Sequence, residues 1–546
     1  MNKKLSPIAF LLFGIFIVTI ISRKIYTRID LTQDKRYTLS STTKNSIAAI
    51  DKQLVINVYL EGDFPAEFQR LQIETRQFLE ELRALNPAIY FRFINPDSHR
   101  KALVKKGMMP SQLTVEENGK LSNAIIFPWA EITYGHQTET VSLLPNSVAK
   151  TQEAQLQNAI EGLEYSFTSA IHTVVKNTKK TIAVLSGNGE LEDLNLYSFL
   201  SEVGKKYRLA KFTLDSVAVA PEKTLNQLTK YDMAIIAKPT QKFTSEEKFT
   251  LDQFIVHGGK TLWMLDNVQA DQDSLLVDGK MLAYPRDLNL TDLLFNYGVR
   301  VNGTLIKDLY AAKIPLATGT MGNRPQFQHL NWFFHPLVHG NPNHVITKNT
   351  TPIRLQFANP IDTLQNGVKK TPLLLSSMFT QTVGTPKIIE LASIAKTPQQ
   401  NAYKGGHQLF AVLLEGAFTS AYKSRVHPFT TPLFMAKGMP NKMIVIADGD
   451  VGKNQILKGK PTDLSIDKWT GEQFGNKDFL LNAVDYLLDD NGIIDLRNKA
   501  IQINHLNKQR AYNERTFWQF FNIGLPLLVL FVFGFGFNYW RKKKYS

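Results

Sequence analysis

Four short constellations in this chain hold residue types that could do chemistry. Gly258-Gly259-Lys260-Thr261 contains the Gly-Lys-Thr of a phosphate-binding loop, in which backbone amides cradle phosphates and the lysine reaches the terminal ones. Phe254 occupies the place of the earlier glycine, and the surrounding pattern runs from helix to strand, the reverse of what such a loop needs. The two glycines are therefore expected to close a helix. Leu185-Ser186-Gly187-Asn188-Gly189 echoes the signature loop of ABC ATPases and half of a dinucleotide fingerprint, with Glu192 standing where the third glycine belongs. A glycine turn at the carboxyl end of a first strand is where open α/β sheets bind ligands. Ser186, Asn188 and Glu190 are thus the candidate ligand-binding residues, set against the plainer reading of a tight turn.

His335, His339 and His344 imitate metal-ligand spacing. Pro336 and Gly340 break any helix through them and no carboxylate lies close in sequence, so loop histidines are expected and no metal site. Asp448 and Asp450 follow an apolar strand and could hold a cation, but two carboxylates around a glycine also make an ordinary turn, which is the expectation here. No Gly-x-Ser-x-Gly elbow supplies a serine nucleophile. The absence of cysteine removes disulfides, thiolate metal sites, iron–sulfur clusters and thiol nucleophiles together. With no catalytic residue, metal or cofactor nominated, the chain is expected not to be an enzyme.

The elements around these residues read as α/β. Ser40 caps a helix to about residue 50, and the β-branched run 54–60 precedes a helix carrying Phe68, Leu71, Phe78, Leu79, Leu82 and Leu85 at helical spacing. A strand over 89–94 and shorter strands near 113–115, 124–129 and 138–144 complete a thioredoxin-like α/β domain over 29–150. Ile160, Leu163, Phe167, Ile171 and Val174 form one stripe of a connecting helix over 151–179. Residues 180–503 then alternate strand and helix, which predicts a larger parallel-sheet α/β domain. Within it, the stretch near 309–361, rich in Pro, Asn, His and Thr, is expected to be a loop-rich insertion.

Two segments without Asp, Glu, Lys or Arg bracket this body, Leu5 to Ser22 and Phe517 to Trp540. At about 1.5 Å of rise per residue they give roughly 27 and 36 Å of helix, against about 30 Å of bilayer hydrocarbon. The front segment lacks small residues at a cleavage site and reads as an uncleaved anchor over 1–28, with a juxtamembrane linker at 504–516 and the second span and basic tail at 517–546. Arg541, Lys542, Lys543 and Lys544 place the carboxyl terminus in the cytoplasm by the positive-inside rule. Two spans then return the amino terminus to the same side and leave the body extracytoplasmic, periplasmic where there are two membranes. The net charge of +15 does not indicate nucleic acid: nine basic residues and no acid lie in 1–28 and 541–546, which leaves +6 for the body.

Arg28-Ile29-Asp30-Leu31-Thr32-Gln33-Asp34-Lys35-Arg36-Tyr37-Thr38-Leu39-Ser40, directly after the first span, closely resembles the opening of the ABC-transporter auxiliary proteins. Phe127-Pro128-Trp129-Ala130, the helix around Asn158 to Tyr165, Leu414 to Ser420, Ala447-Asp448-Gly449-Asp450 and Gly475 to Ala483 resemble a gliding-motility branch of that family. The resemblance covers essentially the whole chain. It implies an inner-membrane, two-pass auxiliary subunit, often labelled substrate-binding, that works beside an ABC permease subunit and a separate ATPase subunit. It transfers no catalytic or ligand residue to a position here. The alternative, of a different class, is a periplasmic small-molecule or glycan receptor using the rim at Ser186 to Glu190.

Overall fold

The computed structural model describes residues 30, 38–62, 66–117, 120–144, 152–176, 179–321, 324–348, 350–498 and 508–545. The first expected span and residues 31–37 lie outside the described residues. Two compact units are present, one of residues 1–30 and 37–499, the other of 31–36 and 500–546.

The first unit opens with helix α1, Ser41–Ala48, whose Ser40 side chain accepts from the Thr43 amide as an N-cap. Strand β1 (Leu54–Val58), helix α2 (Ala66–Leu85) and strand β2 (Ile89–Phe93) make a parallel βαβ turn. After the hairpin of β3 (Ser111–Glu117) and β4 (Lys120–Ile126), β5 (Trp129–Tyr134) runs antiparallel to β1 and turns into β6 (Gln137–Ser142). The resulting sheet has the order β2-β1-β5-β6. The connecting helix is two helices, α3 (Gln152–Glu161) and α4 (Leu163–Lys176), and all five residues of the expected apolar stripe are buried. Glu164 of α4 is buried, and its Oε1 accepts from the Ser40 amide and the Thr43 hydroxyl, each at 2.8 Å. That carboxylate pins α1 to the connector.

The large sheet is built from β7 (Thr181–Ser186), β8 (Arg208–Thr213), β9 (Met233–Ala237), β10 (Lys260–Met264), β11 (Ala311–Met321), β12 (Arg324–Gly340), β13 (Lys369–Leu375), β14 (Leu409–Thr419) and β15 (Lys437–Ile446). Its order is β11-β12-β13-β14-β15-β10-β9-β7-β8, with Ile353–Arg354 added beside β12. The half from β15 to β8 is parallel, and every residue of β9 is buried, as a strand covered on both faces must be. The half from β11 to β15 is antiparallel. The expected all-parallel sheet is therefore a mixed one. Parallel neighbours need crossover helices, and from β11 to β15 the described residues supply strands joined without an α-helix.

The expected loop-rich insertion is likewise corrected. Ala311–Met321 and Arg324–Gly340 pair as the long antiparallel strands β11 and β12. Trp332, Phe334, Pro336 and Val338 are buried at intervals of two, so the apolar alternation of a strand was present among the His and Asn that masked it. Helices α5 (Asp193–Lys206) and α9 (Asn476–Leu488) cover one face of the sheet, packing Leu196, Phe199, Leu480 and Leu487 on Ile182, Ile235 and Ile444. Helix α7 (Ser245–Val256) covers the other with Phe249 and Phe254, joined there by Leu228 of α6 (Pro221–Leu228) and Leu293 of α8 (Thr291–Asn296).

The second unit holds helix α10, Arg515–Tyr545, 31 residues long and interrupted by Pro526 in sequence only, since the helix continues through it. At about 1.5 Å per residue it measures roughly 46 Å, more than a bilayer core. It is the one helix among the described residues long and apolar enough to cross a membrane. Phe517, Trp518, Phe520 and Phe521 stand near one end and Tyr539 and Trp540 near the other, all exposed, where aromatic belts sit at membrane interfaces.

Candidate functional site

The carboxyl ends of the parallel strands are where the sheet has most to offer chemically. With β7, β8, β9, β10 and β15 in the order 2-1-3-4-5, the strand order reverses between β7 and β9, and the loops after these strands flank a potential crevice. The protein fills that crevice itself. Thr240 and Gln241 donate their amides to Asn188 O, and the Thr240 hydroxyl donates to Gly189 O. Asn188 is buried, its side-chain amide donates to Glu247 Oε2 at 3.1 Å, and its backbone amide donates to Glu190 Oε2 at 2.8 Å. Gly189 takes φ of +72°, and a Cβ there would collide with the Thr240 side chain, so this turn requires glycine twice over. Ser186, Asn188 and Glu190 are thus brought together in one turn; Asn188 and one oxygen of Glu190 are bonded within the protein, and the Ser186 hydroxyl reaches the Phe212 carbonyl at 3.5 Å. Glu190 Oε1 remains buried without a hydrogen bond, and burial raises the pKa of this carboxyl above its ordinary value.

Next to the turn lies a cluster that sequence spacing did not reveal. Lys238 follows β9, Asp266 follows β10, and Asp448 and Asp450 follow β15, and all four are buried. Lys238 Nζ lies 2.5 Å from Asp450 Oδ2 and 3.5 Å from Asp266 Oδ2. Asp266 accepts from the Gly449 amide, and Asp448 accepts from the amides of Asp450 and Gln356. A Cβ on Gly449 would sit 2.5 Å from Lys238 Cγ, which is why the residue between the two aspartates has none.

The electrostatics follow from that packing. Burial alone would lower the pKa of Lys238, but Asp450 and Asp266 outweigh it and hold the ammonium more firmly protonated than usual. Burial, reinforced by Asp266 and Asp450, pushes the Asp448 carboxyl well above the carboxylate range. A permanently protonated lysine is neither a nucleophile nor a base. The cluster can hold charge, fix three strand ends and store a proton on Asp448.

The other constellations separate. Gly258 (φ +96°) and Gly259 donate to Ile255 O and Phe254 O after α7, closing the helix as expected, and Lys260 Nζ lies 3.6 Å from Asp490. His335 is buried edge-on against Phe357, His339 stacks on Tyr310 and His344 packs on Tyr486. No group of three metal-ligating side chains occurs among the described residues. Asp448 and Asp450 form the expected turn. Lys238 and Asp266 were missed because only the strand order makes them neighbours; the signal available was that each directly follows or closely trails an apolar strand.

A family model described as an ABC-type uncharacterized transport system matches residues 179–483, more than half of the chain and nearly all of the large α/β portion. The chain belongs to that family. A domain of unknown function matches residues 33–133 in addition. An uncharacterized protein of Borreliella burgdorferi is 20% identical over 449 residues, covering 80% of each chain. Among solved structures, the mmIFT52 N-terminal domain aligns with 57% of this chain and 99% of its own length, at 13% identity and a TM-score of 0.33.

Proposed function

We propose that the chain is a non-enzymatic, membrane-anchored extracytoplasmic auxiliary subunit of an ABC transporter, working beside a separate permease and a separate ATPase. The observation that carries this reading is the family match across the α/β body in a chain that also holds a 31-residue apolar helix ending in Lys542, Lys543 and Lys544. The helix-closing role of Gly258 and Gly259 supports placing nucleotide hydrolysis on another chain. The internal bonding of Asn188 and Glu190 favours an accessory role over a receptor built on that rim. From the motifs resembling the gliding-motility branch we further propose a place beside the protein GldG, and from the basic tail a topology with both termini cytoplasmic and the body periplasmic. The β2-β1-β5-β6 order supports a thioredoxin-like reading of the amino-terminal sheet, used here without a redox cysteine.

A cysteine-free chain allows a clean test. Val426 is 93% exposed on the body, so Val426→Cys introduces one accessible thiol. A membrane-impermeant maleimide added to intact spheroplasts should label it, and the tagged variant should copurify a permease and a P-loop ATPase from mild detergent. Labelling only after lysis would end the extracytoplasmic reading; purification without transporter subunits would end the auxiliary one.

A further inference from the structure

We propose that the cavity between the amino-terminal sheet, the connector helix α4 and the large α/β domain binds a small organic anion carrying a phosphate or carboxylate group. The cavity measures about 490 Å³, within the range of small-molecule sites, and lies where two folded portions meet, a common place for them. It opens at the amino ends of β7 and β8, the edge of the sheet opposite Ser186 and the Lys238 cluster.

The floor is a finished polar network. Asp485 of α9 pairs with Lys206 at 3.0 Å and accepts from the Tyr207 and Tyr165 hydroxyls at 2.8 and 3.2 Å. Burial would raise the Asp485 pKa, but Lys206 and Tyr207 overcome it and keep the carboxylate ionised. Two other wall carboxylates are also committed. Asp489 accepts from the amides of Asn491 and Ile494, and Asp490 pairs with Lys180 and Lys260.

The mouth is different. Lys176, Lys179 and Arg208 line it, and none has a carboxylate within ion-pair distance among the described residues. Lys179 reaches only the Lys205 carbonyl, at 3.1 Å. Against them stands Glu139, whose carboxyl is driven upward by burial despite Lys179 and Lys206. The ends of α4 and α5 each contribute about half a negative charge, while the end of α9 is already answered by Lys442, which donates to Tyr486 O and Asp489 O. Lys176, Lys179 and Arg208 therefore stand as cations without a close carboxylate among the described residues, beside His172, whose basicity is lowered first by burial and then by Lys176, Lys180 and Lys206 in spite of Asp489. Cations at the rim, tyrosines below and the Ser169 hydroxyl on the wall fit an anionic group on a hydroxylated carbon skeleton.

The test uses the full chain in detergent and follows its melting temperature with three probes, inorganic phosphate, glucose 6-phosphate and glucuronate, each to about 10 mM, where even millimolar affinities saturate. The expected result is a saturable rise of a few degrees with at least one probe, and which probe gives it identifies the recognised group. The rise should be lost in Lys176→Gln/Arg208→Gln, measured against that variant's own unliganded melting temperature; both side chains are exposed, so the fold tolerates the change. Ser169→Trp, which fills the cavity without altering its charge, should abolish the rise equally. A shift that grows linearly with concentration and persists in both variants is bulk salt stabilisation and overturns the proposal, as does no shift with any probe. Transporter copurification is untouched by either result.

Discussion

Lys238 is the ammonium that bridges Asp266 and Asp450, so its loss leaves Asp266 without an ion-pair partner among the described residues and Asp450 with only Lys453, at 3.9 Å, in a low-dielectric interior. Breaking such a buried pair by removing one partner costs about 3–5 kcal/mol, far more than replacing both. Lys238→Met should therefore lower unfolding stability by about that amount, read from denaturant titration of the intrinsic tryptophan fluorescence, and adding Asp450→Asn should return part of it. Equal destabilisation in single and double variants would refute the charge argument. His335 makes a prediction about pH. Burial, helped by the charge on Arg354, holds its pKa well below the ordinary value, and its Nε2 is buried without a hydrogen bond. The unfolded state then binds a proton that the folded state refuses, so stability falls as pH drops below about 6.5, by up to about 1.4 kcal/mol per pH unit for this group. His335→Leu should remove that slope between pH 6.5 and 5; an unchanged slope would assign the acid sensitivity elsewhere. The sequence displayed Asp448 and Asp450 as a turn but could not display their lysine, which lies more than two hundred positions away.

Helix α7 shows how an element can be legible at its ends and opaque along its length. Its start is a full capping box: Thr244 accepts from the Glu247 amide, and Glu247 accepts from the Thr244 amide. Thr244→Ala should cost about 1 kcal/mol in the same denaturation assay, and a neutral result would mean that tertiary packing alone sets where the helix begins. Every residue from Glu247 to Val256 is buried, including Lys248, Asp252 and Gln253. No amphipathic stripe could have forecast that. Asp252 tolerates it because Tyr297 and Ser420 hydroxyls and the Ala421 amide, at 2.6, 2.5 and 2.8 Å, replace its water. The pair of β11 and β12 was misread for a related reason. Composition argued for a loop and masked the period-two run of Trp332, Phe334, Pro336 and Val338, which the pairing with a partner strand makes plain.

At the scale of the molecule, membrane attachment is the property open to direct dissection. If both ends anchor the chain, removing 515–546 alone should leave it in the carbonate-washed membrane pellet, and removing 1–28 as well should release the body. Release by the single truncation would reduce the protein to one anchor. The apolar carboxyl-terminal segment, its basic tail, the want of cysteine, the βαβ opening and the parallel half of the large sheet were all determined by local sequence, because span length, charge bias and hydrophobic period are properties of neighbouring residues. The antiparallel half, the Lys238 cluster and the anion-fitting cavity were decided by tertiary structure alone. Each depends on which strands lie side by side and on where burial strips water from a charge, and no stretch of chain contains either fact until the whole has folded.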